Sequence, residues 1–456
     1  GNAQAQFNYG ISLEKGAGVI ADRAAAAEWF RKAAAQGHQD AIAKVAAAEK
    51  IPPAPAPLAE PPAAKAADKP LAAAPDVTIE RSDVADVMRR ARTGEARWQL
   101  EAANMYFHGH TLGVAQDFAK ALELYTAAAN QGNAEACLQL GQMFHGGLGV
   151  QPNPGEALKW WGKAAEQGSA PALRSLGAMH YNGEGVPVNK AEAAKYHARA
   201  VEAGDPLAAV YLAQMARDGD GVPRDARKSR ELYLFAAQKG QPVAMYEVGL
   251  AYLEGQDGVA QDLPKALDWF ARSAKEGYAS AAFNAGGMLD KGQGAARDSA
   301  AAARYFEQAA NEGHVEAMRV MGAKYYNGDG VPRDPARAAQ WHARAAEAGS
   351  VLSALYLAQM VRDGDGVAQN PARAFQLFMQ AAEGGNADAQ MQVGYRYLTG
   401  DGVPKDLEKG AHWTRIAADD GNVHAMRNMA AICREGLGVP RNEAQAIEWE
   451  RKAAGR

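Results

Sequence analysis

The chain has 456 residues, with 49 Lys and Arg against 53 Asp and Glu and a formal net charge of −4 at pH 7. This near balance gives no strong field for nucleic acid or an anionic membrane. No apolar run approaches the roughly 20 residues that cross a bilayer, so we predict no membrane span in this fragment. Two cysteines, Cys137 and Cys433, lie far apart and are expected to be buried apolar residues rather than a disulfide or a metal pair.

Residues 1–50 are predicted to form one whole two-helix repeat, of the kind that recurs later in the chain, plus an extra helix. Helices are expected over Asn2–Leu13, Asp22–Ala35 and Asp40–Lys50. The first six residues resemble the middle of a later repeat at Gly132–Ala136, so we expect the natural chain to continue upstream. An export signal, and whether this segment packs on the rest of the chain, are left open.

Residues 51–78 change to an Ala/Pro-rich composition, with prolines at 52, 53, 55, 57, 61, 62, 70 and 75. Proline removes a backbone donor and fixes φ, so this stretch is predicted to be an extended, flexible linker. A docking motif for another domain is the alternative.

Residues 79–456 carry a short phrase that returns at a fixed period. In Gly183-Glu184-Gly185-Val186 and its nine counterparts, the last residue falls at 114, 150, 186, 222, 259, 295, 331, 367, 403 and 439. The step is 36 throughout, except for 37 between 222 and 259. A constant period of this kind indicates stacked units that share one continuous core. A helix over Ser82–Ala91, stopped by Gly94, is expected to cap the array.

Each repeat is predicted to contain two helices. The first resembles Asn133–His145 and the second Pro154–Gln167. Glycine inside the first helix costs roughly 1 kcal/mol of helix propensity, so we expect close approach of the neighbouring helix there. A glycine after the second helix, such as Gly168, suits a left-handed cap. One position of the second helix is large and apolar in every unit, which predicts core: Leu124, Trp160, Tyr196, Leu232, Trp269, Tyr305, Trp341, Leu377, Trp413 and Trp449.

A second periodicity of 145 residues lies on the first. Tyr181-Asn182-Gly183 returns as Tyr326-Asn327-Gly328, and Tyr211–Met215 returns as Tyr356–Met360. This offset equals four repeats plus the inserted residue, which predicts a duplicated four-repeat block and two copies of one binding surface.

The pattern Ala-x-Ala-x-x-Leu-Gly-x-x-Tyr-x-x-Gly-x-Gly-Val, followed by a helix with Ala, Trp or Tyr and Ala-Ala-x-x-Gly, resembles the Sel-1-like repeat family, relatives of the tetratricopeptide repeats. Ala295 replaces the Val in one unit, and the turn at His108–Val114 is longer. The resemblance implies an all-α, right-handed solenoid of antiparallel helix pairs, usually a bacterial scaffold for protein partners. Many bacterial relatives work outside the cytoplasm, so a periplasmic location is expected, with a cytoplasmic one as the alternative.

In tetratricopeptide-type solenoids the first helix of each pair lines the concave face. Counting −6, −3, +1 and +4 from the Leu-Gly glycine selects one helical face. Tyrosine and arginine are frequent where binding energy concentrates. The candidate partner-binding residues are Arg174, Tyr181, Gln214, Arg217, Tyr246, Arg319, Tyr326, Gln359, Arg362 and Tyr395. The hypothesis is that this surface binds a protein or peptide that carries aliphatic and acidic side chains. The alternative is that these residues only face the solvent on the inner surface of the solenoid.

The sequence predicts a non-enzymatic adaptor, because no nucleophile motif, phosphate loop or pair of carboxylates in a plausible cleft is found. No cofactor is expected. His108, His110, His145 and His180 lie near the same turn of successive units, but no carboxylate or thiol sits beside them at ligand spacing, so no metal site is predicted. The alternative function is a cell-wall-associated protein that binds glycan strands or modulates a wall-remodelling enzyme. The partner and the oligomeric state are left open.

Overall fold

The computed structural model describes residues 83–109, 113–256 and 258–455, together with Trp29, Phe30, Ala34 and Ala41. These four residues are helical and fall inside the second and third helices predicted for residues 1–50. The rest of that segment and the predicted linker lie outside the described residues. The domain bounds 1–50, 51–78 and 79–456 therefore stay predictions.

From residue 83 onward, every regular element among the described residues is an α-helix. The chain divides into two compact units, the first ending at Leu232 and the second beginning at Tyr233. The first unit contains α1 Asp83–Ala91, α2 Ala96–His108, α3 Phe118–Asn130, α4 Ala134–Gly146, α5 Pro154–Glu166, α6 Ala170–Asn182, α7 Lys190–Glu202 and α8 Pro206–Asp218, and the division falls within α9 Ala226–Gln238. The second unit contains α10 Pro242–Glu254, α11 Leu263–Lys275, α12 Ala279–Lys291, α13 Ser299–Asn311, α14 Val315–Asn327, α15 Pro335–Glu347, α16 Val351–Asp363, α17 Pro371–Glu383, α18 Ala387–Thr399, α19 Leu407–Asp419, α20 Val423–Glu435 and α21 Glu443–Ala453.

Consecutive helices pack on one another in each unit, which makes each an α-solenoid of helix pairs, as predicted. The pairs are α2 with α3, α4 with α5, and so on, and we call their members the first and the second helix. None of the helices that the structure describes is both long and apolar enough to cross a bilayer.

Helix ends are fixed by side-chain caps and by left-handed glycines, of which the glycine after the second helix was predicted. The second helix α5 begins after Asn153, whose side chain accepts from the Glu156 amide at 3.1 Å. The first helix α6 ends at Gly183, which takes the left-handed conformation with φ of 78°. Gly168 after α5 is also left-handed, with φ of 82°, as expected. A side-chain cap and a glycine stop therefore set the period of the helices.

The glycine inside the first helix allows the two helices of a pair to approach closely, as predicted. A Cβ at Gly141 in α4 would lie 2.3 Å from the Trp161 ring of α5. The same relation holds in the second unit between Gly249 and Phe270, at 2.7 Å. The Trp161 indole is held in place because its Nε1 donates to the Leu138 carbonyl at 3.1 Å.

A glycine of the turn joins each pair to the one before it within a unit. Gly366 has φ of 75°, and a Cβ there would lie 2.3 Å from the carbonyl carbon of Pro335, the first residue of α15. In the first unit a Cβ at Gly185 would lie 2.6 Å from the Pro154 Cβ at the start of α5. The second glycine of the repeated phrase is therefore a packing surface between pairs.

The prediction that the column of large residues is core is wrong in eight of the ten repeats. In those eight, the buried residue is the next one along the second helix. Trp160 is half-buried, whereas its neighbour Trp161 is 4% exposed, because the next position faces the first-helix glycine. Of the predicted column, only Trp341 and Trp449 are buried. The buried column is Tyr125, Trp161, His197, Tyr233, Phe270, Phe306, His342, Phe378 and Thr414.

Two histidines occupy this otherwise mainly aromatic column, one in each unit. His197 and His342 are 2% and 3% exposed, and within the described ranges neither Nδ1 atom has a hydrogen-bond partner. Burial, helped by the nearby Arg174, lowers the pKa of His197 to about 4. Burial, helped by Arg319, likewise lowers the pKa of His342 to about 4. Both imidazoles are therefore neutral at pH 7.

Gly141→Ala should destabilise the chain, because the new methyl group meets the held Trp161 ring. Overpacking of this kind costs about 1–3 kcal/mol and should lower the melting temperature. Gly162→Ala in α5 is the matched control, since nothing lies within 4 Å of its Cβ position. Its better helix propensity should leave the melting temperature unchanged or slightly raised. Equal melting temperatures for the two variants would contradict the close approach.

His197→Phe combined with His342→Phe should make the chain less sensitive to acid. A folded-state pKa near 4, below the ordinary 6.5, means that the unfolded chain takes up protons first as the pH falls. The free energy of unfolding is therefore highest above about pH 6.5. It falls toward pH 4, by up to about 3 kcal/mol for each histidine. Phenylalanine fits, because Phe270 occupies the equivalent position against Gly249.

Thermal unfolding at pH 7 and pH 4.5 measures this acid effect. The double variant should lose less stability between the two pH values than the natural chain, whereas the exposed control His424→Gln should behave like the natural chain. A double variant that loses as much stability as the natural chain would refute the assignment.

Candidate partner-binding sites

A groove of about 310 Å³ opens between the first helices α6 and α8 of the first unit. We call it the first site. Residues from α6, α7 and α8 and the turn after α8 surround it, so two consecutive pairs build it. Its lining residues are Ala178, Tyr181, Asn182, His197, Tyr211, Gln214, Met215, Asp218 and Asp220.

The His197 imidazole belongs to the second helix α7 and reaches the groove past the glycine of α6. A Cβ at Gly177 would lie 2.5 Å from the ring, so no other residue type at 177 leaves the ring in place. The Tyr211 ring lies beside it, with ring centroids 5.4 Å apart. His197 therefore lines the groove with a neutral ring, and its buried Nδ1 has no hydrogen-bond partner among the described residues.

The rim of the first site is a tyrosine, a carboxylate and a lysine from three elements. The Tyr181 hydroxyl donates to Asp220 at 2.6 Å, and the Lys190 amine donates to the same carboxylate at 2.9 Å. The hydrogen bond to Asp220 raises the pKa of the Tyr181 hydroxyl. The bonds from Lys190 and Tyr181 hold the pKa of Asp220 below its usual range, so the carboxylate is charged at pH 7.

The second unit repeats the lining residues without a change of type. At an offset of 145, the second site has Ala323, Tyr326, Asn327, His342, Tyr356, Gln359, Met360, Asp363 and Asp365. The contacts also repeat, because His342 and Tyr356 have ring centroids 5.4 Å apart. A hydrogen bond to Asp365 raises the pKa of the Tyr326 hydroxyl.

The predicted arginines lie beside carboxylates of the chain itself. In the first unit, the Arg174 Nε donates to Asp205 at 3.0 Å, and the Arg217 Nε donates to Asp218 at 3.3 Å. Asp205 also accepts from the Ala208 amide at 2.8 Å and so caps α8. Arg174 therefore helps to fix the start of the next first helix.

The same holds in the second unit. The Arg319 Nε donates to both Glu316 oxygens at 2.9 Å. Arg362 forms a two-point pair with Asp363, with both distances 2.7 Å. An arginine can bind a partner's carboxylate through its planar fork of N–H groups. Here, however, the carboxylates that the arginines bind belong to the chain itself.

The remaining candidates fall into two groups. Tyr181 and Gln214 line the first site, and Gln359 and Tyr326 are their equivalents in the second. Tyr246 is half-buried against the Phe270 and Tyr278 rings, at 5.6 and 5.2 Å. Tyr395 is 51% exposed on α18. Partner binding by the ten residues stays a prediction.

Tyr211 and Tyr356 were missed by the sequence reasoning. Both stand two positions before the residue equivalent to the Leu-Gly glycine, at the edge of the helical face that was selected. Their recurrence at the 145-residue offset was visible in the sequence and was the signal for them. The carboxylates Asp218 and Asp363 were missed for the same reason, since they end their helices one position beyond that face.

The histidines considered for metal binding take other partners. The His145 Nε2 lies 2.7 Å from Glu184, and His180 stacks on Tyr196 with centroids 5.3 Å apart. Among the described residues, no group of three or more His, Cys, Asp or Glu side chains is placed to hold a metal ion. His110 lies outside those residues.

The sequence model of the Sel1 repeat matches the chain eleven times, and it covers most of the residues. The matches are 3–38, 99–133, 134–169, 170–205, 206–241, 242–278, 279–314, 315–350, 351–386, 387–422 and 423–455. No curated protein matches the sequence.

Two bacterial crystal structures are similar to the chain. One is c5321, a protective antigen present in uropathogenic Escherichia coli strains and displaying an SLR fold, at 26% identity over 100% of this chain and 84% of that one, with a TM-score of 0.62. The other is a Sel1 repeat protein from Oxalobacter formigenes, at 31% identity over 68% of this chain and 90% of that one, with a TM-score of 0.52. Proteins built of such repeats are generally non-enzymatic scaffolds that bind protein partners. On its eleven matches, this chain belongs to the Sel1 repeat family.

Proposed function

We propose that the chain is a non-enzymatic scaffold that binds protein or peptide partners through the surface of its first helices, with one main site in each unit. The observation that carries the proposal is the repetition of all nine lining residues of the first site at an offset of 145. Between residues 170–222 and 315–367, 20 of 53 positions differ, yet none of them lines the site.

Exposed aromatic residues support a binding role for this surface. Every large apolar side chain that is exposed and aromatic in the described residues lies on a first helix: Tyr181, Tyr211, Tyr326, Tyr356 and Tyr395. Tyrosine is enriched at protein interfaces because its ring is apolar and its hydroxyl forms hydrogen bonds. The second helices place their aromatic rings against the core instead.

We further propose a periplasmic location, on the basis of the family resemblance alone, with a cytoplasmic location as the alternative. Glycan strands of the cell wall are the alternative partner, because exposed rings beside amides and carboxylates also offer a sugar both an apolar face and hydrogen-bonding groups. The two kinds of partner separate in one experiment.

Tyr181→Ala combined with Tyr326→Ala should abolish partner capture. The immobilised full chain is exposed to periplasmic and cytoplasmic fractions of a bacterium that carries it, and the bound proteins are identified. Purified cell wall is sedimented with the chain in parallel. Loss of a central aromatic contact at each site should weaken capture at least tenfold, as hot-spot residues do.

The matched control is Val188→Ala combined with Ile447→Ala, which removes exposed apolar side chains that do not lie on first helices. It should capture the partner as the natural chain does. Equal capture by both double variants would contradict the assigned surface, and co-sedimentation with cell wall without any protein partner would favour the glycan alternative.

A further inference from the structure

We propose that each site receives the side chain of an arginine or lysine from a partner polypeptide, so that the chain presents two equivalent receptors for basic residues. This inference rests on the proposed scaffold function and names the chemistry that its two sites recognise. Four features of the sites lead to it: the charge of the lining, the faces of the tyrosines, the buried nitrogen in the groove, and the repetition of the whole set.

The charged side chains that line the first site are carboxylates. Asp218 is 60% exposed and Asp220 is 26% exposed at the side chain, and both face the groove. The imidazole of His197 adds no charge at pH 7, since burial keeps its pKa low. The other polar groups of the lining are amides and hydroxyls. A cationic side chain meets acceptors here, whereas an anionic one meets two like charges.

The chain already balances these carboxylates with cations of its own, one at the rim of the site and one beside Asp218. Lys190 is 43% exposed and pairs with Asp220, while Arg217 pairs with Asp218. Exposed pairs of this kind contribute little to stability, so a partner cation can replace them at small cost. The second site keeps both carboxylates but has Pro335 where the first has Lys190.

Cations already lie on the tyrosine rings of both sites. The Lys190 amine lies 5.0 Å from the Tyr181 ring centroid, and the Arg333 guanidinium lies 5.6 Å from the Tyr326 ring. Arg333 has Val188 as its counterpart in the first unit, so the two cations come from different repeat positions. The shared element is the tyrosine with its carboxylate, which attracts a cation from whichever position supplies one.

The buried nitrogen suits a donor that reaches past the rim. In the tautomer protonated at Nε2, the His197 Nδ1 can accept a hydrogen bond, and no group in the described part of the chain donates one. An arginine carries five N–H groups in a planar fork, enough to serve a rim carboxylate and a deeper acceptor together. The Tyr211 ring, 5.4 Å from the imidazole, then flanks the aliphatic part of the side chain.

The test uses three acetylated and amidated pentapeptides, Gly-Ser-X-Ser-Gly, in which X is arginine, its neutral isostere citrulline, or glutamate. Each is titrated into the full chain and followed by ligand-observed NMR and calorimetry. The arginine peptide should bind at two sites per chain, at least tenfold more tightly than the other two. Tyr211→Ala should leave one site per chain, and Tyr211→Ala with Tyr356→Ala should leave none.

The charge control separates the sites from the general field of the chain. Asp218→Asn with Asp363→Asn removes two carboxylates from the sites, and Asp268→Asn with Glu448→Gln removes two exposed ones elsewhere. Only the first pair should weaken arginine binding tenfold or more. Equal loss in both pairs, preference for the glutamate peptide, or no saturable arginine binding would overturn the inference.

Competition by the peptides separates the scaffold function from the recognition of a basic side chain. A protein partner that is captured by the natural chain and lost with Tyr181→Ala and Tyr326→Ala, but is not displaced by excess arginine peptide, would leave the scaffold function standing and refute the basic side chain. Displacement by the arginine peptide, and not by the citrulline peptide, supports both.

Discussion

Five helix pairs depend on one close contact, in which a ring of the second helix meets a glycine of the first helix: Gly141 with Trp161, Gly177 with His197, Gly249 with Phe270, Gly286 with Phe306 and Gly322 with His342. At Gly141 the partner is Trp161, at Gly249 it is Phe270, and in each case a single methyl group would overlap the ring. Since helix propensity alone disfavours glycine at such a place, the packing across the pair must outweigh that cost. The same contact sets the distance between the two helices of a pair. The turn glycines then allow each pair to pack closely on the next one.

The two sites are a variation on this contact. Three pairs place a Trp or Phe ring against the glycine, whereas the pairs around Gly177 and Gly322 place an imidazole there. The ring is as buried as its aromatic counterparts, but it contains polar nitrogen atoms and lines the groove together with two tyrosines and two carboxylates. A core position thereby becomes part of the proposed binding surface, and the 145-residue repetition supplies it once in each unit. The low pKa of both imidazoles follows from this burial.

Much of the fold could be predicted from the sequence, because the period, the caps and the inner glycines are local signals. The position of the core could not be resolved between neighbours such as Trp160 and Trp161, since adjacent residues of a helix differ by only about 100° in direction and both are large and apolar. The sequence also could not predict which carboxylates the arginines contact. Asp205 lies 31 residues after Arg174, and only the packing of successive pairs brings them together.

The contact between Gly177 and His197 is the most direct test of the central claim, and a double-mutant cycle in urea unfolding of the full chain measures it. Gly177→Ala should cost about 1–3 kcal/mol in the natural chain, because its methyl group meets the imidazole. In the His197→Ala background the same change should cost nothing or stabilise the helix, giving a coupling energy of at least about 1 kcal/mol. Costs that add within about 0.5 kcal/mol would mean that the two side chains do not meet, and would contradict the account.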